Sequence, residues 1–201
     1  MGWKDRAAAL WQEYGAGWPL DFVLGWIAVE QPKNDAPPTS MDEVGWPQLT
    51  PENAREIGYD WERIPTDEAY SFQALVAYMN HAAAKVPGKF TGSARLGMVK
   101  MWHTLPALFN QIADGAPASD DWDTLANWAG DNVSDSQVGG HSVDHWLTTV
   151  DKTLSTGGLL AAGFPALLAV PFGFAVVYPW TSLAVGALLV LLVYLWTQRR
   201  G

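Results

Sequence analysis

From Thr153 to Gln198 the chain carries no charged side chain, and the run GGLLAAGFPALLAVPFGFAVVYPWTSLAVGALLVLLVYLW is dense in Leu, Val, Ala and Phe. A helix crosses a bilayer with ~20 apolar residues, so this stretch has room for two passes. The sequence therefore predicts a membrane-inserting segment over 157–198, either one transmembrane helix or a helical hairpin. In the hairpin form the passes run near 158–178 and 181–197, with Pro179-Trp180 as the turn and Pro165 and Pro171 kinking the first pass. The opening residues, MGWKDRAAALWQEYGAGW, are unlike this. They mix charges into a short helical pattern with Leu10, Trp11 and Tyr14 on one side, and lack the uninterrupted apolar core of a secretory leader.

The rest of the chain divides by composition into a mixed globular part over 1–113 and an acidic connector over 114–156. With 49% apolar residues in the 201-residue chain there is material for a packed core. There is no cysteine, which excludes disulfide staples and thiolate zinc sites, so the fold must stand on packing. The net charge of -9 argues against nucleic acid as a partner, because binding to phosphates rests on Lys and Arg. Twelve tryptophans fit either carbohydrate faces or membrane interfaces. For each of them except Trp46, core packing is the simpler reading.

The pattern is mainly α, and no convincing period-2 strand occurs. TPENAREIG has Thr50 as cap, Pro51 at the first helical position and Gly58 at the stop. The next helix opens at Thr66, has acids in its first turn, and carries Tyr70, Ala74, Leu75, Tyr78 and Met79 along one side. A third runs over 94–113 with Pro106 as a kink. The connector's eight acids are all aspartates and no Lys or Arg appears in it before Lys152. Its segments DWDTLANWAG and HSVDHWLTTVDKTL still place Trp122, Leu125 and Trp128, then Val143, Trp146, Leu147 and Val150, at helical spacing. Residues 32–46 read as a long loop.

One acid is out of place. PLDFVLGWIAVE begins a helix at Pro19 and must stop near Glu30, because Pro32 follows. Val23, Trp26, Ile27 and Glu30 fall at i, i+3, i+4 and i+7, so the carboxyl continues the apolar stripe. Burial disfavours the ionised form, which predicts a raised pKa and a retained proton, as a general acid requires. The plainer reading is a Glu capping an exposed helix end. A rival site is GGHSVDHW, where His141 and His145 stand at i, i+4 with Asp144 between them. It lacks the Glu of zinc-protease helices and a third ligand, so hydrogen-bonding histidines at a helix start are the reading preferred, with no metal and no cofactor expected.

The segment AVE, a polar loop and then DEVGWPQLTPENAREIG resembles the lytic transglycosylases of the lysozyme-like superfamily. In that family a helix ends in Glu-Ser, and a Gly-Leu-Met-Gln motif leads into a Thr-Pro-x-Thr-Ala helix. Here Glu30 takes the place of the catalytic acid, Gly45, Trp46, Pro47 and Gln48 take the second motif, and Thr50, Pro51 and Ala54 follow. Order and spacing agree over 19–58 and remain compatible to about residue 112. Gln31 stands where the family has serine, and Trp46-Pro47 replaces Leu-Met. The third motif, Ala-Tyr-Asn, has an echo with one extra residue in Ala77, Tyr78, Met79 and Asn80; an alternative placing puts Trp102-His103 there.

The resemblance implies a lysozyme-like helical domain that cleaves the β-1,4 bond between N-acetylmuramic acid and N-acetylglucosamine in peptidoglycan. It implies that Glu30 protonates the glycosidic oxygen, that the substrate's acetamido group stabilises the oxocarbenium-like centre, and that Glu30 then takes a proton from the muramic 6-hydroxyl to leave a 1,6-anhydro sugar. Gln48, Trp46, Tyr78 and Asn80 would bind substrate. A hydrolase with a second acid, for which Asp42 and Glu43 lie in the loop, stays open.

A wall-cleaving domain without a leader and with an apolar tail poses a problem of sides. A hairpin keeps both its ends on one side, and Arg199-Arg200 favours the cytoplasm. Delivery from outside resolves it: the expectation is a phage virion protein that opens the periplasmic wall during genome entry. Its tail would sit in a viral or host membrane, beside other virion proteins. The alternatives are a membrane-anchored host enzyme of wall remodelling, and an inactive glycan-binding or channel-forming virion protein.

Overall fold

The structure, a computed structural model, describes residues 2–30 and 45–161, with side chains to Thr156. Among the described residues eight α-helices follow one another: α1 (Trp3–Tyr14), α2 (Leu20–Glu30), α3 (Pro51–Glu56), α4 (Glu68–Lys85), α5 (Gly92–Thr104), α6 (Pro106–Gly115), α7 (Trp122–Asn132) and α8 (Val143–Ala161). A 3-10 turn over Asp135–Val138 joins the last two. Among the described residues there is no strand; Phe90 and Ser119 form an isolated bridge. The mainly helical class read from the sequence therefore holds.

The centre of the fold is α2. Six consecutive residues, Phe22 to Ile27, are buried, so this helix is covered all round and lies inside the core, not on its surface. On one side α8 lies along it, burying Val143, Leu147 and Val150 at i, i+4 and i+7. The same helix α8 touches α5, which also packs against α4, α6 and α7. Where α5 meets α7 the fit is close: a Cβ on Gly97 would stand 2.0 Å from the Trp122 ring.

This arrangement corrects the division at residue 113. Trp122, Leu125, Ala129, Val143, Leu147 and Val150 belong to the same hydrophobic core as Trp3, Phe22 and Met98. The described residues fall in one compact unit. Residues 114–156 do form the helices their periodicity predicts, but as walls of the domain rather than as a connector beyond it.

Two element ends also differ. The cap of α4 is Asp67, not Thr66: its carboxylate accepts from Tyr70 N at 3.0 Å, while the Thr66 hydroxyl donates to Arg63 O. At Pro106 the expected kink is a break. The residue before proline is pushed out of the α region, Leu105 adopts φ -149° and ψ 88°, and Pro106 starts α6. The cap and proline at Thr50 and Pro51 stand as read, with Thr50 accepting from Asn53 N. Among the described residues no helix is long and apolar enough to cross a membrane. Beyond the end of α8 at Ala161, the membrane-inserting segment read over 157–198 lies outside the described residues, as does most of the loop over 32–46.

Candidate active site

Glu30 is the last residue of α2, one turn beyond Trp26 and therefore on the same face. Its side chain is 19% exposed, and two residues of α5 close on it: Lys100, with no exposed side-chain surface, and His103, 13% exposed. Lys100 Nζ donates directly to Glu30 Oε1. His103 Nε2 stands 3.3 Å from the same oxygen. On the other side of the imidazole, Nδ1 lies 3.3 Å from the Tyr78 hydroxyl of α4. This sequence of contacts fits one tautomer, in which Tyr78 donates to Nδ1 and Nε2–H donates to the carboxylate. The wall behind the pair is Trp26, whose ring centroid is 4.4 Å from Lys100 Nζ and 5.1 Å from the His103 ring.

The electrostatics reverse the expectation of a raised Glu30 pKa. Burial does push the carboxyl up, but the Lys100 ammonium and the His103 contact outweigh it and hold Glu30 down to about 2. The apolar stripe is real, with Val23, Trp26 and Ile27 all buried. What the stripe does not reveal is a cation on the facing helix. A carboxylate beside a buried ammonium stays ionised, so Glu30 rests as a base and not as a standing acid. The Lys100 ammonium is also held below its ordinary pKa, because burial lowers it more than Glu30 raises it.

The second motif folds into a tight turn on α4. Trp46 N donates to Ser71 Oγ at 2.9 Å, and the Trp46 ring meets Phe72 edge-on with centroids 5.8 Å apart. Gly45, at φ +73°, could not carry a side chain, because a Cβ there would stand 2.3 Å from Ile64 Cγ2 and 2.5 Å from Ser71 Oγ. Gln48 is buried and adopts φ +52°, a conformation held by two bonds to Gly45 O, from its own backbone N–H at 3.2 Å and from Nε2 at 2.6 Å. The turn thus uses the Gln48 amide to close itself.

Of the residues singled out from the sequence, Tyr78 joins Glu30 through His103. Both placings of the third motif converge there, since Trp102 also packs on Tyr78 at 5.6 Å. Asn80 is turned elsewhere: its carboxamide oxygen accepts from Trp18 Nε1 at 2.9 Å, beside the far end of α2 from Glu30. Trp46 and Gln48 are engaged with α4 and with their own turn. Gln31, Asp42 and Glu43 lie outside the described residues.

Lys100 is the residue the sequence reading missed, although a signal existed. Leu96, Val99, Lys100 and His103 repeat the i, i+3, i+4, i+7 spacing that marks Glu30 on α2, so two apolar stripes each carry a polar interruption. The pair His141 and His145 does not share a helix face, because α8 starts only at Val143. Both rings instead contact Trp146, and among the described residues no group of His, Asp or Glu is placed to hold a metal ion. Comparison of the chain with protein-family models, curated proteins and solved structures gives no match.

Proposed function

We propose that Glu30 is the acid–base group of a peptidoglycan-cleaving site, acting on the β-1,4 bond between N-acetylmuramic acid and N-acetylglucosamine and leaving a 1,6-anhydro end. The observation that carries this reading is the setting of Glu30: a carboxylate at the end of a buried helix, still partly open to solvent, with His103 against it and Trp26 and Tyr78 packed on His103. The chemistry needs one carboxyl. Protonated Glu30 gives its proton to the glycosidic oxygen as the C1–O bond breaks, and the leaving sugar departs as an alcohol. The substrate's acetamido oxygen holds the positive centre at C1. Carboxylate Glu30 then removes the 6-hydroxyl proton as that oxygen bonds to C1, so the carboxyl ends as it began.

His103 orients the reacting oxygen and Tyr78 fixes the tautomer of His103. The domain's place in this reading is a virion protein that opens the cell wall during genome entry, its apolar tail inserted in a membrane. A membrane-anchored host enzyme of wall remodelling would use the same chemistry.

One observation favours a second reading, an inactive glycan-binding or structural virion protein. Glu30 is ion-paired to Lys100 and ionised at rest. Incubation of the full chain with purified peptidoglycan, followed by mass spectrometry of the released fragments, separates the two. The expected result is anhydromuropeptides, lost both in Glu30→Gln and in the charge-balanced double variant Glu30→Gln/Lys100→Met. Reducing ends would mean a hydrolase, and no product from a folded chain would establish the second reading.

A further inference from the structure

The resting ion pair leaves a step unexplained, because a carboxylate cannot protonate a glycosidic oxygen. We propose that Lys100 stores the missing proton, passing it from Nζ to Glu30 Oε1 when a glycan strand covers the site. The proposal rests on the glycan-cleaving reading of Glu30. In the transfer one N–H bond breaks and one O–H bond forms: ammonium and carboxylate become amine and carboxylic acid, with no net change of charge.

The geometry gives the transfer its direction. Donor and acceptor are already in hydrogen-bond contact, so no rearrangement is needed. Lys100 has no exposed side-chain surface, whereas Glu30 is 19% exposed. Covering the site therefore strips water from the carboxylate alone, which raises its proton affinity while the lysine's surroundings stay as they were. Among the described residues the ammonium also meets a single side-chain acceptor. It has three N–H donors, and among the described residues its hydrogen-bond partner is Glu30 Oε1, the remaining neighbour being the face of Trp26. A neutral amine brings two N–H donors to these surroundings rather than three.

The pair and the ionisable groups linked to it by contact lie on three helices. Glu30 belongs to α2, His103 to α5 beside Lys100 itself, and Tyr78 to α4 behind His103. From α7 and α8, on the flank of α5, come Trp122 and Asp151, and the Asp151 carboxylate is held by Trp122 Nε1 at 2.6 Å. Lys100 acts through Glu30 and is a positioning residue in this scheme. The site is charged and idle when open, and acquires its acid when occupied.

The decisive comparison is Lys100→Arg against Lys100→Met in the full chain, with circular dichroism confirming the fold of each. Arginine keeps the charge but cannot release a proton. Storage predicts that Lys100→Arg loses anhydromuropeptide release by roughly a hundredfold or more, the scale of general-acid catalysis. It predicts that Lys100→Met stays active in acid and loses activity as pH rises, since Glu30 then titrates alone. A purely structural ion pair gives the opposite order, arginine active and methionine dead, and that result overturns the proposal. Should the arginine variant not fold, the pH profile of Lys100→Met decides by itself: a folded variant inactive at every pH overturns storage.

A second readout does not depend on turnover. The infrared difference spectrum of the full chain with and without chitotetraose should gain a protonated-carboxyl band that is absent in Glu30→Gln. Binding without that band overturns the transfer but leaves the glycan site standing. Neither binding of chitotetraose nor cleavage of peptidoglycan overturns both. If peptidoglycan is cleaved and chitotetraose does not bind, the order of the two variants decides.

Discussion

At Glu30 and Lys100 the chain keeps two opposite charges in a place where neither alone is tolerable. Taking away one partner leaves the other buried and unpaired, which costs about 3–5 kcal/mol, whereas replacing both by neutral groups is often neutral or better. Glu30→Gln should therefore lower stability by about that amount, and the addition of Lys100→Met should recover most of it, as read from chemical denaturation midpoints. The pH dependence has a definite sign. Glu30 is held at about 2 against an ordinary 4.5, so its stabilisation is complete above its ordinary pKa and is lost as pH falls through that window toward 2. Protonating Glu30 leaves the same unpaired ammonium that Glu30→Gln does. The melting temperature of the native chain should accordingly drop between pH 4.5 and 2 more steeply than that of the double variant. Parallel slopes for the two would mean that the pair carries no linkage. The position of Glu30 was legible in the sequence, because an acid on an apolar stripe stands out against its neighbours. Its ionisation state was not, because that depends on what faces it seventy residues later, and periodicity says nothing of pairing between helices.

At the scale of elements, legibility follows how local the cause is. Thr50-Pro51 starts α3 by chemistry contained within four residues, and it was read correctly. The kink assigned to Pro106 failed for a reason nearly as local: Leu105 left the helical region and one helix became two. Gly97, in the middle of α5, has no local rationale at all. By helix propensity alone, alanine there should gain about 1 kcal/mol. The structure decides otherwise, because the new Cβ would meet three carbons of the Trp122 ring, the nearest at 2.0 Å. Overpacking of a well-packed site costs about 1–3 kcal/mol, which exceeds the propensity gain. Gly97→Ala should thus be net destabilising in urea unfolding. A raised midpoint would show that α7 can yield at little cost, and that the contact does not fix the spacing of these helices.

In the whole molecule, residues 114–156 are part of what holds the site together. Their aspartates made them look like a separate acidic segment, and their apolar stripes showed helices without showing what those stripes cover. They cover the helix that carries Glu30: α8 lies along α2 and reaches α5, so both helices of the ion pair are braced by sequence that composition had set apart. The magnitude of that bracing can be gauged. A large apolar side chain fully buried contributes ~1.5–3 kcal/mol, and this segment supplies Trp122, Leu125, Leu147 and Val150 to the core. Four such residues are comparable with the entire net stability of a small domain, ~5–15 kcal/mol. A chain ending at residue 113 would also leave the side of α2 that α8 covers open to water. That chain should show no cooperative thermal transition by circular dichroism, and a chain ending at residue 161, which retains α8 whole, should show one. Cooperative melting of the shorter chain would mean that α1 to α6 hold α2 without help, and would restore a domain boundary near residue 113.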